Sequence, residues 1–430
     1  MERRGRQSAG TIVDPPLTTW LTPFRAFRHR NFRLYAIGMA ISVSGNWMQS
    51  LALSWLVYRL TRSEWLLGLT VFCSSIPVLL LSPVAGVVAD RFPRRSIVMT
   101  TQSLAMVHAV TLTVLTLSEL IQVWHVLLLA LALGAITAFD IPGRQSLFFQ
   151  LVGKPDLLSA ISLNSVIFNG ARIVGPSIAG VVIARFGEGV CFAVNAVSYL
   201  AVLASFLAMK VSGGDAPRAP ESPLTSLVEG FQYVLKRPPL LWTLAACGFL
   251  TFAAAPGPVL APMFADAMFH QGSRGLGFFT AAMGAGAITG TLLLARNTAL
   301  GPLPMAMVTS ATALGAGMII ISVSPWFGLC LLLAPLLGMG IMRSNAAANT
   351  MVQSRIADDY RGRIMGIYSM MVTGMYPVGG LAAGAFAQLA GSRVAMAAGG
   401  ILCLITSLLL LSRRPTFMQW ITTGSEEERA

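Results

Sequence analysis

Long apolar runs separated by short polar connections recur along most of the chain. Twelve of these runs are long enough for a helix to cross the hydrocarbon core of a bilayer, which takes about 20 apolar residues. They fall at about 34–58, 66–89, 97–117, 124–142, 157–183, 190–209, 240–262, 276–295, 303–323, 327–349, 364–388 and 394–412. The pattern predicts an all-α membrane protein with twelve transmembrane helices, which we number spans 1 to 12 in chain order.

One connection is longer than the others and divides the spans into two sets of six. Residues 210–239 begin with a polar stretch that contains Gly and Pro, and then carry apolar residues at helical spacing. This predicts a flexible linker followed by an amphipathic helix. The expected organisation is an N-terminal bundle at 24–209, the linker at 210–239, a C-terminal bundle at 240–412, and cytoplasmic tails at 1–23 and 413–430.

The two bundles resemble each other in sequence. The stretch from Gln150 to Leu158, followed by Gly175 and Pro176, is similar to the stretch from Gln353 to Arg361, followed by Pro377. Two six-helix bundles related in this way are typical of a transporter whose substrate site lies between them. The sequence therefore predicts pseudo-symmetric halves.

Composition supports the membrane assignment. Hydrophobic residues make up 55% of the chain and charged residues only 11%, whereas soluble domains are about 25% charged. The net charge of +13 comes mostly from the tails and from alternate connections. These lie on one side of the membrane when there are twelve spans, so the positive-inside rule places both termini in the cytoplasm. The basic charge thus needs no nucleic-acid partner.

The connection between spans 2 and 3 carries a motif. Gly86 is followed by Asp90 and Arg91, and then by the basic pair Arg94 and Arg95. A glycine allows two helices to approach closely, and a carboxylate at the end of a span can meet the positive N-terminus of another helix. The motif resembles the signature loop of the major facilitator superfamily. The resemblance implies that this cluster latches the outward-facing state between the two halves.

Span 5 carries a second motif, with Gly175, Pro176 and Gly180. It resembles the antiporter motif of the same superfamily, which occurs mainly in exporters, so the resemblance implies efflux. Ordinary packing of small residues is the alternative. Over 24–412 the chain is similar to the branch of the superfamily that contains siderophore exporters and macrolide efflux pumps, the transmembrane secretion effector family. The similar segments include Gly45 to Met48, Asp140 to Gln145 and Arg361 to Gly366.

Polar and methionine faces within the spans are the candidate walls of a substrate cavity. Polar residues inside a membrane are costly and indicate function, and the resemblance implies that spans 1, 4, 5, 7, 8, 10 and 11 line or gate the cavity. Hydrogen bonding between helices is the alternative for each face. The candidate residues are Asn46 and Gln49 in span 1, Asn169 and Arg172 in span 5, Asn345 and Asn349 in span 10, and Tyr368, Met371 and Met375 in span 11.

The charged residues near the membrane are candidates for coupling or gating. Asp140 is the first candidate for carrying a proton and Asp266 the second, and a pair of Asp140 with Arg144 or Arg343 would serve as a gate. Span 4 lacks the arginine that many proton antiporters of the superfamily carry. Arg172 has no evident acidic partner, so we expect it to meet an anionic or carbonyl-rich group of the substrate, or else backbone carbonyls.

These features predict a secondary transporter. The chain has no phosphate-binding loop of the GxxxxGK[ST] type and no metal-ligand or nucleophile motif, so we expect neither an enzyme nor a cofactor or metal site. The expected function is export of a small amphipathic molecule, such as a siderophore or antibiotic, across a bacterial inner membrane by alternating access, with protons as the counter-substrate. We expect a monomer in the lipid bilayer. A flippase for lysophospholipid or another lipid and a non-transporting receptor remain as alternatives.

Overall fold

The computed structural model describes residues 19–209, 223–296, 302–356, 360–413, 415–417 and 420. In the first half, a 3₁₀ helix at Thr19–Arg28 precedes six spans. Spans 1 to 3 are Arg30–Thr61, Glu64–Arg91 and Arg94–Leu117. Spans 4 to 6 are Val123–Arg144, Pro155–Phe186 and Glu188–Ala208.

In the second half, the amphipathic helix Pro223–Leu235 precedes span 7. The predicted flexible stretch before this helix, and most of both predicted tails, lie outside the described residues, and the predicted domain bounds remain predictions. Spans 7 to 12 are Pro238–Val259, Gly272–Ala295, Leu303–Val323, Phe327–Arg355, Arg361–Ala390 and Ser392–Ser412.

The described chain is helical and contains no strand, so the predicted all-α class is confirmed. Eleven of its helices are long and apolar enough to cross a membrane. The twelfth, span 1, has 32 residues, which corresponds to about 48 Å of helix. Its hydropathy is lower because serine, Asn46 and Gln49 interrupt the apolar residues.

The helices are irregular between spans 4 and 5 and within span 11. The helix Val123–Phe186 runs through the connection between spans 4 and 5 and turns at Gly153. Glycine adopts the φ of 69° found there without the steric cost that a side chain would bring. Span 11 contains a π-helical turn at Met370–Gly374, which adds one residue to the helical repeat.

The halves contact each other along two helix pairs, span 2 with span 11 and span 5 with span 8. Glycine permits both contacts. A Cβ on Gly68 would clash with the Gly380 carbonyl, and a Cβ on Gly180 would lie 2.9 Å from the Gly277 Cα. Along each pair the contact weakens with depth. Leu79 still touches the Cβ position of Gly374, but nothing lies within 4 Å of the Cβ positions of Gly86 and Gly170.

The apolar core follows the same division. One buried cluster contains residues of both halves and lies toward the connections that follow the odd-numbered spans. Two further clusters each belong to a single half and lie toward the opposite end. The described chain is therefore a wedge. We call the end with the shared cluster the closed end, and the opposite end the open end.

Candidate functional site

A cavity of about 530 Å³ lies between the halves, above the shared apolar cluster of the closed end. Its volume is in the range that holds a drug-sized ligand, about 300–1,000 Å³. Its wall is formed by spans 1, 2, 5, 7, 8, 10 and 11. The resemblance had implied span 4, where the structure has span 2. Most of the wall is apolar. Its most distinctive members are Trp47, Arg172, Asn345 and Tyr376.

Arg172 lies on the cavity wall where span 5 crosses span 8. Its guanidinium carbon is 5.5 Å from the centre of the Trp47 ring, within the range of a cation–π contact. Among the described residues it has no hydrogen bond and no carboxylate within ion-pair distance. The sequence expectation that Arg172 lacks an acidic partner agrees with this geometry, and its role in binding remains a prediction.

The predicted wall residues Asn46 and Gln49 lie elsewhere. The Asn195 amide of span 6 donates to the Gln49 side-chain oxygen at 2.9 Å and to the Asn46 oxygen at 3.2 Å. The Tyr199 hydroxyl also donates to Asn46, at 2.6 Å. These bonds join spans 1 and 6 inside the first half. The polar face of span 1 is therefore satisfied by a neighbouring helix, which corrects the assignment of both residues to the cavity.

The predicted face of span 11 packs against spans 7 and 10. Met371 and Met375 contact the Gly248 backbone position of span 7, and the Tyr368 hydroxyl donates to the Asn345 carbonyl at 2.9 Å. The residues of span 11 that line the cavity are instead Val372, Thr373 and Tyr376. Met371 and Met375 do share a face, as their spacing predicted, but that face packs on span 7. These two residues and Tyr368 are therefore not among the residues that line the described cavity, which corrects their assignment to its wall.

The remaining asparagines divide between the cavity and their own helices. Asn345 lines the cavity and lies 3.1 Å from the Cys247 sulfur. Asn169 donates to the Ser165 carbonyl one turn before it, at 2.8 Å. Asn349 accepts from Gln353 one turn after it. Asn169 and Asn349 are thus satisfied locally and do not line the described cavity.

Asp140 is buried in the first half, with 6% of its surface exposed. Its Oδ1 accepts from Thr101 and Gln102 of span 3, each at 2.9 Å, and its Oδ2 lies 2.6 Å from the Arg144 Nε. Arg343 instead donates to Thr309 of span 9 at 2.9 Å. Of the two predicted pairs, the structure contains Asp140 with Arg144 and not Asp140 with Arg343.

Asp266 joins the two halves at the closed end. It lies in the π turn Met263–Met268 after span 7. Its Oδ2 accepts from the Tyr58 hydroxyl at 2.7 Å and from the Arg62 guanidinium at 2.8 Å. Tyr58 and Arg62 belong to the end of span 1, and the sequence interpretation missed both. A tyrosine in a span and an arginine just after one are too common to single out without the partner.

Further bonds between the halves lie at the same end. The Ser63 hydroxyl donates to the Gln388 side chain at 2.9 Å, and the Ser392 hydroxyl donates to Glu64 at 3.0 Å. The Ser273 hydroxyl donates to the Gly180 carbonyl. These bonds between the halves all lie at the closed end. The polar contacts therefore reinforce the apolar seal.

The three residues of the span 5 motif have separate contacts. A Cβ on Gly175 would lie 2.6 Å from the Trp47 Cβ, so this glycine admits span 1. Gly180 admits span 8 from the other half. Pro176 lines the cavity between them. The motif therefore lies where span 5 contacts span 1 of its own half, span 8 of the other half, and the cavity.

The loop motif lies at the open end. Nothing in the described chain lies within 4 Å of the Cβ position of Gly86, contrary to the expected close approach of another helix there. Arg91 is exposed, and Arg95 donates to the Leu207 carbonyl of span 6 at 3.4 Å. Arg94 begins span 3. The side chain of Asp90 lies outside the described residues, so its predicted part in a latch remains a prediction.

The family model that matches this chain is described as transmembrane secretion effector and covers residues 21–423. The chain is 28% identical over 347 residues to the Staphyloferrin A transporter of Staphylococcus aureus, covering 78% of this chain and 84% of that one. It is 25% identical to the multidrug efflux pump Tap of Mycolicibacterium fortuitum, covering 81% and 87%. The identity to the Enterobactin exporter EntS of Shigella boydii is 26%, covering 91% and 94%.

A solved transporter structure has a similar fold. A mutant of the nucleoside transporter NupG superposes with a TM-score of 0.71, over 89% of this chain and 98% of that one. The sequence identity of 13% limits this likeness to the fold. The match supports a twelve-helix architecture in which span 1 is counted with the eleven more apolar helices.

Proposed function

Because the chain belongs to the transmembrane secretion effector family of major facilitator transporters, we propose that it exports a small amphipathic organic molecule across the inner membrane by alternating access. The chain is a multi-pass membrane transporter and not an enzyme. The substrate class, the direction and the driving ion are the parts that we propose. A siderophore or an antibiotic-like natural product is the substrate class that the named relatives suggest.

The observation that carries the proposal is the cavity between the halves. Its closed end is sealed by an apolar cluster and by cross-half bonds, whereas the helix pairs separate beyond Leu79 and Arg172. Such a wedge is one of the two states that alternating access requires, with the substrate site between the halves. Lys and Arg are concentrated on the connections of the open end, so we assign that end to the cytoplasm and the state to inward-open.

Export is favoured over import by two features. The span 5 motif places Pro176 on the cavity wall and glycines on both sides of it, as expected for the antiporter type that the sequence resembles. Two of the relatives are named an exporter and an efflux pump. The proposed cycle takes substrate from the cytoplasm into the inward-open cavity and releases it after the closed end has opened.

We assign proton coupling to Asp140 first and to Asp266 second. Asp140 is a buried carboxylate held by Thr101, Gln102 and Arg144, and buried ionisable groups in membranes are often proton relays. Asp266 has a different advantage, because it bridges the halves. Protonation there removes its negative charge and weakens the pair with Arg62 at the closed end.

Uptake into inverted membrane vesicles tests the proposal. Enterobactin and staphyloferrin A serve as substrates, and lysophospholipid with a labelled headgroup serves as the lipid probe. We expect accumulation of an organic substrate that needs a proton gradient, needs no ATP, and is absent from vesicles without the chain. Movement of the lipid probe alone would favour a flippase. Binding of an organic substrate without accumulation would favour a receptor.

Coupling is tested with Asp140→Asn and Asp266→Asn in the same vesicles. The variant that removes the coupling group should retain substrate exchange but lose accumulation against a gradient. Undiminished proton-driven uptake by Asp140→Asn would clear Asp140 of this role.

A further inference from the structure

The cavity between the halves contains a single formal charge. Of its described lining residues, which come from seven spans, only Arg172 is ionised at neutral pH, and none is Asp, Glu or Lys. The rest of the wall is mostly apolar, with scattered hydroxyl groups such as those of Ser50, Ser54 and Thr280. Along the described lining, a ligand therefore meets a fixed positive charge and no fixed negative charge.

The Arg172 guanidinium also has unused hydrogen-bonding capacity. An arginine has five N–H donors in a planar fork. Among the described residues, Arg172 donates to no carbonyl, hydroxyl or carboxylate, and its guanidinium lies over the face of the Trp47 ring. A half-buried cation without a counter-charge is costly. An anionic group from a ligand would supply both the missing charge and the missing acceptors.

Two aromatic rings stand beside this charge on the wall. Trp47 lies under the guanidinium, and Tyr376 of span 11 lines the same cavity from the other half. Gly175, one turn after Arg172, leaves room for Trp47, because a Cβ there would lie 2.6 Å from the Trp47 Cβ. The antiporter-type motif therefore sets the ring next to the charge. Flat apolar surface and a localised cation are thus presented together.

We infer that the cavity selects organic anions, with the anionic group bound to Arg172 and a flat apolar body against Trp47 and Tyr376, and that it discriminates against organic cations. The inference rests on the proposed function in taking this cavity as the transport site. It narrows the substrate class to carboxylates and similar anions. An organic cation would meet the like charge of Arg172 and no carboxylate among the described lining residues.

The test uses three probes of one shape and three charges: 2-naphthoate, 2-naphthamide and 2-naphthylmethylammonium. Binding to the purified full-length chain is followed by thermal shift and by titration. We expect 2-naphthoate to bind about tenfold more tightly than 2-naphthamide, or better, because a hydrogen bond to a charged group is worth more than a neutral one. The cation should bind most weakly of the three.

Variants assign the preference to its residue. Arg172→Gln should abolish the difference between 2-naphthoate and 2-naphthamide, and Arg172→Lys should keep part of it because the charge remains. Arg185→Gln is the matched control, since Arg185 is exposed near the end of the same span and does not line the cavity. It removes the same charge from the chain and should leave the preference unchanged. If Arg172→Gln does not fold, the inference is tested by the binding of the same three probes to the natural chain and to Arg172→Lys.

Three results would overturn the inference. They are equal binding of the three probes, no binding of 2-naphthoate by the folded natural chain, and a preference for the anion that persists in folded Arg172→Gln. The outcome is separable from that of the proposed function. A chain that binds the anion but accumulates nothing in vesicles refutes export and leaves the anion site intact. A chain that accumulates cations refutes the anion site and leaves export intact.

Discussion

At the scale of the residue, the ion pairs of the described chain differ in what they connect. Asp140 with Arg144 and Glu188 with Arg59 each lie inside the first half. Asp266 with Arg62 lies between the halves. A pair inside one half persists when the halves move as rigid bodies, whereas a pair between them must break. Only the second kind biases the equilibrium between open and closed states.

Asp266→Asn should favour opening of the closed end. The pair with Arg62 is partly exposed, and such pairs contribute about 0.2–1 kcal/mol, so we expect at most a roughly fivefold population shift. The measurement is the rate at which a membrane-impermeant thiol reagent, added at the closed end, labels a cavity cysteine introduced by Ser50→Cys. Arg59→Gln is the control, because it breaks an ion pair whose two residues both lie in the first half, and it should leave the labelling rate unchanged. A slower rate in Asp266→Asn would contradict the gate.

Residue identity alone predicted some of these sites and not others. Arg172 stood out because a charge within a span is rare, and the structure places it on the cavity wall. Asn46 and Gln49 had an equally polar face, but Asn195 from span 6 satisfies it. Spacing along a helix tells which residues share a face. It does not tell whether a helix or a cavity lies opposite that face.

At the scale of the element, apolar run length predicted the helices well because the bilayer demands it. A span must satisfy its own backbone, so about 20 apolar residues can only be a helix. Local irregularities carry no such signal. Nothing in the sequence of Met370–Gly374 distinguishes a π turn from ordinary helix.

The register of span 11 is testable by thiol labelling. In a variant that lacks the native cysteines, Thr373→Cys should react with a reagent added at the open end about tenfold faster than Met375→Cys, because accessibility governs thiol modification. Thr373 is exposed on the cavity wall, and Met375 packs against Gly248. The control is the rate after denaturation, which should be equal for both. Faster labelling of Met375→Cys would contradict the packing of this residue against Gly248.

The crossing of spans 5 and 8 makes a second prediction at this scale. A side chain at Gly180 would meet the Ser273 carbonyl at 2.8 Å and the Gly277 Cα at 2.9 Å, and overpacking costs about 1–3 kcal/mol. Gly180→Leu should therefore destabilise the closed end and raise labelling of Ser50→Cys from that side. Gly170→Ala is the control in the same span, since its Cβ position is free to 4 Å. An unchanged labelling rate in Gly180→Leu would show that this crossing does not seal the cavity.

At the scale of the whole molecule, the seal and the opening are parts of one arrangement. The shared apolar cluster and the cross-half bonds hold one end, and each half keeps its own core at the other end. Two separately packed halves can therefore rotate about the depth of Leu79 and Arg172 without loss of their own cores. The similarity in sequence between the halves predicted two bundles with a site between them, but not which end would be closed, because both states use the same residues.

Holding the closed end shut should stop transport. Ser63 and Gln388 lie on opposite halves, with 2.9 Å between their side-chain oxygens. The test uses a variant without native cysteines that carries Ser63→Cys and Gln388→Cys. Joining the two thiols with a short bis-methanethiosulfonate reagent should abolish nearly all vesicle uptake, and reduction should restore it. Arg59→Cys with Glu188→Cys is the matched pair, because both residues belong to the first half at the same end. Its cross-link should leave uptake intact, since movement of rigid halves does not stretch it. Full uptake by the cross-linked Ser63 and Gln388 variant would mean that substrate leaves without separation of the halves at this end, and alternating access by rocking would be excluded.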